Sequence, residues 1–433
     1  MFNLNNTKKY ACKYRVDSFI IMMGDENIKL DPSNILSIEY INNYEFNIRA
    51  MLKVNIRIDI RRKIWILKNK RNIKIKFELV KLGMDIESES FITSPETVWN
   101  CIFSAYFNDE DESSDISVME ERINMNEGDS FASEDIHSEN YFETQNVMDL
   151  FLFNSDILNA SNYKYNDVFT KDILQNCVAR ILTSTKHKNV LMSPFENNEI
   201  YKELIVPALP AYKSLIYLDQ YYGFYETGAM IYYDIDTVYI LNTNGSITAK
   251  RNNESPITCI YITTLDNSQP GNGMFKTNYK NDNLYPIEYI SMNESNINLQ
   301  KPSIGFNETI GSETKFVISD DININISSAN QSVMGQRNEN IFTIRKADNK
   351  FVANIAKARM EENECILYFN GENIDISSLT PNKQYQVVYE ESSKNQKYGK
   401  YKYRLSYACH YIILRSEEYM DSSHQFVLKK SME

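Results

Sequence analysis

Apolar and polar residues alternate strictly along one early stretch of the chain. Leu52, Val54, Ile56, Ile58 and Ile60 fall on one side, with Lys53, Asn55, Arg57, Asp59 and Arg61 on the other. A period of two predicts a strand with one buried and one wet face. Ile73, Ile75, Phe77 and Leu79 against Lys74, Lys76 and Glu78 predict a second strand. Residues 19–22 and 35–40 supply two more. Four strands within residues 1–92, with no helical stretch between them, predict a small antiparallel barrel or sandwich. The cations on the outer faces of the long strands also guard against unwanted edge pairing.

The pattern changes at Thr93, Ser94, Pro95 and Glu96, a turn or helix-start signal. Residues 108–143 are acidic, poor in apolar residues and without a period, which predicts a long inserted loop. Leu150, Phe151, Leu152 and Phe153 restore an apolar run. Residues 165–185 are predicted helical, because Val168, Ile173, Cys177, Ile181 and Leu182 can share one face. Residues 205–241 then predict a short helix feeding an aromatic hairpin. Pro210 suits the first helical turn, Leu215, Leu218 and Tyr222 share a face, and Gly223 ends the helix. Glu226, Thr227 and Gly228 make a turn. Met230, Tyr232, Asp234 and Asp236 alternate after it with Ile231, Tyr233, Ile235 and Thr237, as in a single strand.

Beyond the hairpin the chain returns to β. Residues 259–262 form a predicted strand, broken by Pro270, Gly271, Asn272 and Gly273. The polar region of about 265–340 holds only short strand candidates, at 316–318 and 322–326, and regularity returns at 341–344. Two C-terminal strands, 385–389 and 401–407, flank a polar loop, 390–400, as a long hairpin. The reading is therefore α+β, mainly β, in three parts. Residues 1–92 are the first β domain and 93–222 an α/β middle domain carrying the acidic loop 108–143. Residues 223–433 are a second β domain with the polar insertion and the C-terminal strands.

Composition adds limits. The chain has 433 residues, 42% of them hydrophobic and 24% charged, which suits several buried cores. The N-terminal stretch lacks the apolar run of a signal peptide and no window could span a bilayer, so synthesis in the cytosol without membrane insertion is expected. The six cysteines stand singly, with no Cys-x-x-Cys pair, and read as reduced, buried small hydrophobes. A net charge of −12 argues against general nucleic-acid binding. Its distribution is uneven: residues 49–81 are basic, densest at Arg61, Arg62 and Lys63, whereas 85–143 are acidic with Arg122 nearly alone. Surfaces of opposite charge can set the register between subunits.

No catalytic or cofactor signature is present: no phosphate-binding glycine loop, no His-Glu-x-x-His, no Gly-x-Ser-x-Gly. No cofactor and no metal is expected. His137, His187, His410 and His424 are isolated in sequence. Asp219, Asp234 and Asp236 invite a paired-carboxylate reading, but two of them on one strand face equally suit solvation or turn anchoring. An enzymatic role is not expected.

The segment containing Tyr217, Leu218, Asp219, Gln220, Tyr221, Tyr222, Gly223, Phe224 and Tyr225 resembles a signature of the baseplate hub proteins of contractile-tailed bacteriophages. In that family such a helix feeds a hairpin like the one from Asp234 to Leu241 here. Asn189 to Ser193, Leu204 to Pro207 and the strand pattern of residues 35–82 are similar as well. The resemblance implies two tail-tube-like barrels per chain and a homotrimer closing into a pseudo-six-fold ring in the virion baseplate. It implies as partners the tail tube protein, the central spike protein and other baseplate proteins, with DNA passing through unbound. Arg57, Arg61, Arg62 and Lys63 are the candidate interface residues. A tail-associated peptidoglycan hydrolase and the hub of a bacterial contractile injection system are the alternatives. An adhesin would need long repetitive β segments near the C-terminus, which are absent.

Overall fold

The computed structural model describes residues 9–24, 26–44, 51–68, 73–106, 146–154, 158, 160, 162–185, 189–235, 237–243, 257–262, 271–276, 284–294, 303–309, 312–318, 365–381, 383–392, 395–416 and 418–431. The acidic stretch 108–143, the strand candidates at 322–326 and 341–344, and the residues Asp236, His137 and His187 lie outside them.

The fold is mostly β. The strands of the first half are β1 (Tyr10–Met23), β2 (Glu26–Leu30), β3 (Ile35–Asn43), β4 (Met51–Ile58), β5 (Lys74–Asp85), β6 (Ser90–Phe91), β7 (Glu96–Tyr106), β8 (Asn146–Asn154), β9 (Lys164–Asp172), β10 (Asn189–Met192) and β11 (Tyr201–Pro210). Those of the second half are β12 (Ala229–Tyr233), β13 (Thr237–Asn242), β14 (Ile257–Ile262), β15 (Gly271–Lys276), β16 (Leu284–Glu294), β17 (Ser303–Thr309), β18 (Ser312–Ile318), β19 (Cys365–Glu372), β20 (Gln384–Ser392), β21 (Asn395–Leu414) and β22 (Met420–Lys430). Among the described residues the α-helices are α1 (Ile60–Lys68), α2 (Leu174–Ser184) and α3 (Ala211–Tyr222).

Fifteen strands join in one sheet whose pairings close on themselves twice. The first ring runs β1–β5–β7–β8–β4–β3–β21–β22 and returns to β1 where Tyr14 faces Met420. The second runs β22–β19–β16–β15–β14–β20–β21 and back to β22. The β21–β22 hairpin belongs to both. On one edge of β21, residues 395–404 pair with β20 and residues 407–413 with β3; β22 lies along the other edge from residue 403 to 414. Closure pairs both edges of the strands within each ring, while β2 and β6 lie at the ends of the sheet.

A loop ties the second ring to the first. The buried Tyr14 hydroxyl donates to Ile374 O at 2.8 Å and accepts from Ile376 N at 2.9 Å. Cys12 N donates to Asn373 O at 2.7 Å, and Lys81 Nζ reaches Asp375 at 2.8 Å. Burial pushes the Tyr14 phenol well above its usual pKa, so it remains a neutral donor.

Among the described residues two large apolar cores result, with a small third cluster of Cys259, Tyr261 and Val388. One lines both rings, with Phe19, Phe77, Phe369 and Phe426 among its members. The other is built by β9, β11, α2 and α3 around Phe169, Leu204, Leu215 and Phe224. The β12–β13 hairpin lies between them. Met230, Tyr232 and Leu241 belong to the first core, while Ile231, Tyr233, Val238 and Ile240 belong to the second. Strand alternation does this directly, since neighbouring side chains point to opposite faces. β13 also pairs in parallel with β10, joining two stretches that the family resemblance rested on.

Several sequence expectations need correction. The alternation from Leu52 stops at Ile58, and Arg61, Arg62 and Lys63 lie in α1, so the first ninety residues do contain a helix. Asp59 Oδ1 accepts the N–H of Arg62 at 2.9 Å, a side-chain cap that starts the helix. Residues 164–172 form β9 rather than helix, because β11 pairs along them, and Val168 is 53% exposed opposite Ile205. The hairpin strand breaks at Asp234, so Asp234 sits in a turn and not midway along a strand. Gly271, Asn272 and Gly273 are not a turn but the start of β15. A Cβ on Gly273 would meet Tyr261 O at 2.8 Å, so this glycine permits close strand approach. The polar loop 390–400 is mostly strand, with Ser392 facing Asn395.

The hairpin's double burial yields a test. Tyr232→Ala and Tyr233→Ala should each lower unfolding free energy by about 3–5 kcal/mol, the range for deleting a buried aromatic side chain. The surface control Tyr163→Ala should change it by less than about 0.5 kcal/mol in the same urea titration.

Candidate functional site

The four cations expected at an interface lie where β4 runs into α1. Arg57 is exposed on the outer side of β4, opposite Val147 of β8. Arg62 is exposed and its Nε lies 3.3 Å from Asp59; Lys63 is partly buried. The side chain of Arg61 lies outside the described residues. The four therefore straddle a strand end and a helical first turn, and do not form one alternating row. Cations in the first turn oppose the helix dipole, and Asp59 offsets part of that cost. On its inner side α1 buries Ile64, Ile66 and Leu67.

Asp219 and Asp234 serve separate networks. Asp219 is fully buried near the end of α3, and its Oδ1 accepts the N–H of Phe224 at 3.1 Å. Its carbonyl accepts the N–H of Gly223 at 2.8 Å, and Gly223 has φ 70°, a conformation that favours glycine. Asn197, which the sequence reading missed, completes this helix end by donating to Tyr222 O at 2.9 Å and Gly223 O at 2.8 Å. Asp234 accepts from the Tyr40 hydroxyl and, at 2.8 Å, from Ile235 N. Asn154 of β8 donates to Ile235 O at 2.9 Å, and Asn42 of β3 to Tyr233 O at 3.4 Å. The first ring thus grips the hairpin turn.

The structure joins two histidines that stood apart in sequence. His410 and His424 face each other across β21 and β22 with Nδ1 atoms 2.8 Å apart, and His424 Nε2 lies 2.8 Å from Ser422 Oγ. Tyr40 stacks on His410 at 5.8 Å. Burial pulls His410 down to about 3, and burial followed by repulsion from His410 takes His424 well below the usual range. Both are neutral at physiological pH. The thiols of Cys12 and Cys177 are pushed up to about 12 by burial, which suppresses the reactive thiolate. All six cysteines are free. Among the described residues, no group of three or more His, Cys, Asp or Glu side chains could hold a metal ion.

A protein-family model described as Bacteriophage PBS1 gene 109 protein matches residues 7–431 of the chain. The chain belongs to that family. No curated protein matches it in sequence. Among solved structures it is similar to the tail protein of Neisseria meningitidis MC58, at 8% identity and TM-score 0.43, over 98% of this chain and 97% of that one. The 43 kDa tail protein of prophage MuSo2 from Shewanella oneidensis gives 8% identity and TM-score 0.41, over 95% and 97%. The E. coli c3393 protein, described as a type VI secretion component similar to T4 tail proteins gp27 and gp5, gives 7% and 0.39, over 95% and 77%. At these scores the likenesses are too distant to assign a role.

In this member of the gene 109 family, the histidine pair sets a pH response. Unfolding exposes two imidazoles that bind protons near pH 6.5, whereas the folded chain refuses them. Their contribution to stability is therefore whole above about pH 6.5 and is lost as the pH falls towards the folded values. The slope reaches at most about 1.4 kcal/mol per pH unit for each histidine. Urea unfolding between pH 7 and 5 should show a flatter profile for the His410→Asn, His424→Asn double variant. Identical slopes would assign the acid sensitivity to carboxylates instead.

Proposed function

We propose that the chain is a structural tail protein, the baseplate hub that joins the tail tube to the central spike of a contractile tail. The pair of closed strand rings sharing β21 and β22 carries this reading. Each ring is taken as one barrel of tail-tube type. Three copies around an axis then present six barrels, so one trimer can meet a six-fold tube on one face and a three-fold spike on the other. Membership of a bacteriophage protein family supports a virion role. The buried histidine pair is neutral, and Asp219 and Asp234 accept hydrogen bonds that hold a helix end and a hairpin turn, which favours assembly over turnover.

In this reading the partners are further copies of the chain, the tube, the spike and other baseplate proteins, and DNA passes through without specific contacts. The decisive measurement is native mass, for the chain alone and mixed with the tube and spike proteins of the same phage. Three copies per complex are expected; a chain that stays monomeric with both partners present rejects the hub. Peptidoglycan zymography should show no clearing.

Arg57, Arg61, Arg62 and Lys63 act in this proposal at a subunit or tube contact. Reversing all four to Glu should lower the mass of the assembled complex in light scattering while leaving the thermal unfolding of the isolated chain nearly unchanged. An unaltered mass would remove these residues from the interface.

A further inference from the structure

Thirteen acids against Arg122 alone lie in residues 107–145, so this segment carries the whole net charge of −12. Elsewhere the chain is balanced, with 45 bases and 45 acids. The segment is attached at one place: β7 ends at Tyr106 and β8 begins at Asn146, and these strands are neighbours with Tyr106 facing Phe151.

The outer face of the sheet at that point has the opposite character. Lys74 and Lys76 of β5 stand exposed beside β7, with Lys76 directly opposite Ile102. Ile102, Tyr106 and Val147 are 52%, 47% and 50% exposed, and Arg57 faces Val147 from β4. Tyr106 meets Phe153 edge to face at 5.5 Å. The acids on this face are Asp149, which pairs with Lys53 at 2.9 Å, and the partly buried Glu78. Among the described residues Arg57, Lys74 and Lys76 have no ion-pair partner. The surface is thus apolar in its middle and cationic on both flanks.

We propose that this outer face of β5, β7, β8 and β4 is the docking surface for the chain's own acidic segment, residues 107–145. Charge and connection both select this occupant. The face offers unpaired cations, the segment holds all the uncompensated acids, and the shared strand ends keep the two at an effective concentration on the order of millimolar. The segment also contains apolar residues, among them Phe107, Ile116, Val118, Ile123 and Phe131, that can cover Ile102 and Val147. The inference does not rest on the hub reading, since it concerns one chain alone.

Zero-length carbodiimide cross-linking of the full chain tests it, using an equal mixture of isotopically labelled and unlabelled protein. Links from Lys74 or Lys76 to acids between Asp109 and Glu143 are expected, and within one copy only. Links between copies, or none to this segment, overturn the proposal. A Glu-specific protease gives a second reading that needs no lysine to react. Cleavage within 107–145 should be several-fold faster in a Lys74→Glu, Lys76→Glu variant, which leaves the four proposed contact cations untouched, or in about 0.5 M salt, where the Debye length falls to a few ångströms. Equal cleavage rates in variant and parent overturn it as well. Both changes are at exposed positions, and circular dichroism checks that the variant is folded.

Discussion

Burial of both faces of the β12–β13 hairpin is the constraint on which the remaining structure depends. A strand that is wet on one side can be served by one core, but Met230, Ile231, Tyr232 and Tyr233 are all buried and need two. Tyr232 stacks on Tyr239 at 4.7 Å and meets Tyr44 edge to face at 5.1 Å, inside the ring core. The opposite face closes the core under α2 and α3. Neither core is complete without this hairpin, so the helical part and the rings hold each other in place. The polar grip of Tyr40, Asn42 and Asn154 on its turn gives the contact a single orientation, since a shifted turn would leave buried donors unmet.

The second organising feature is the length of β21. At 20 residues it is long enough to change partners along one edge, from β20 to β3, while β22 continues along the other. Two rings can then share one hairpin without a linker. The cross-bracing of Tyr14 with the loop at residues 374–376, and of Lys81 with Asp375, acts at the same seam. Burial pulls the Lys81 ammonium down, but the adjacent Asp375 and Glu96 together outweigh it and hold the group above its usual pKa. The histidine pair also lies on the shared hairpin, neutral and stacked against Tyr40. These groups join pieces distant in sequence, and their chemistry is that of fixed geometry.

Much of this was legible locally. Strands at residues 73–79 and 35–40 were legible from their apolar pattern, and the structure has them at 74–85 and 35–43; α3 with Gly223 followed from its apolar spacing and its terminating glycine. The limits were equally local. Ile60, Ile64 and Leu67 have helical spacing, yet Ile60 also continues the alternation of β4, so only the Asp59 cap decides where the strand stops. Tyr165 and Phe169 fit a helical face and a strand face alike, and β11 decides between them by supplying backbone partners. The candidate cations were visible as charges, but their placement across a strand end and a helix start was not.

By itself the sequence determined which residues avoid water and at what period, because that depends only on side-chain chemistry and the geometry of a single strand or helix. It also showed the charge split between a basic early region and the acidic stretch 108–143. Tertiary structure alone decided the partners. His410 meets His424 only because the turn after Leu414 sets that register. Asp234 becomes a turn acceptor only because Tyr40 arrives from far along the chain. The rings close only where Tyr14 reaches Met420 and β22 lies beside β19. Pairings of this kind depend on loop closure over long sequence separations, and no local pattern encodes which distant strand will satisfy a given edge.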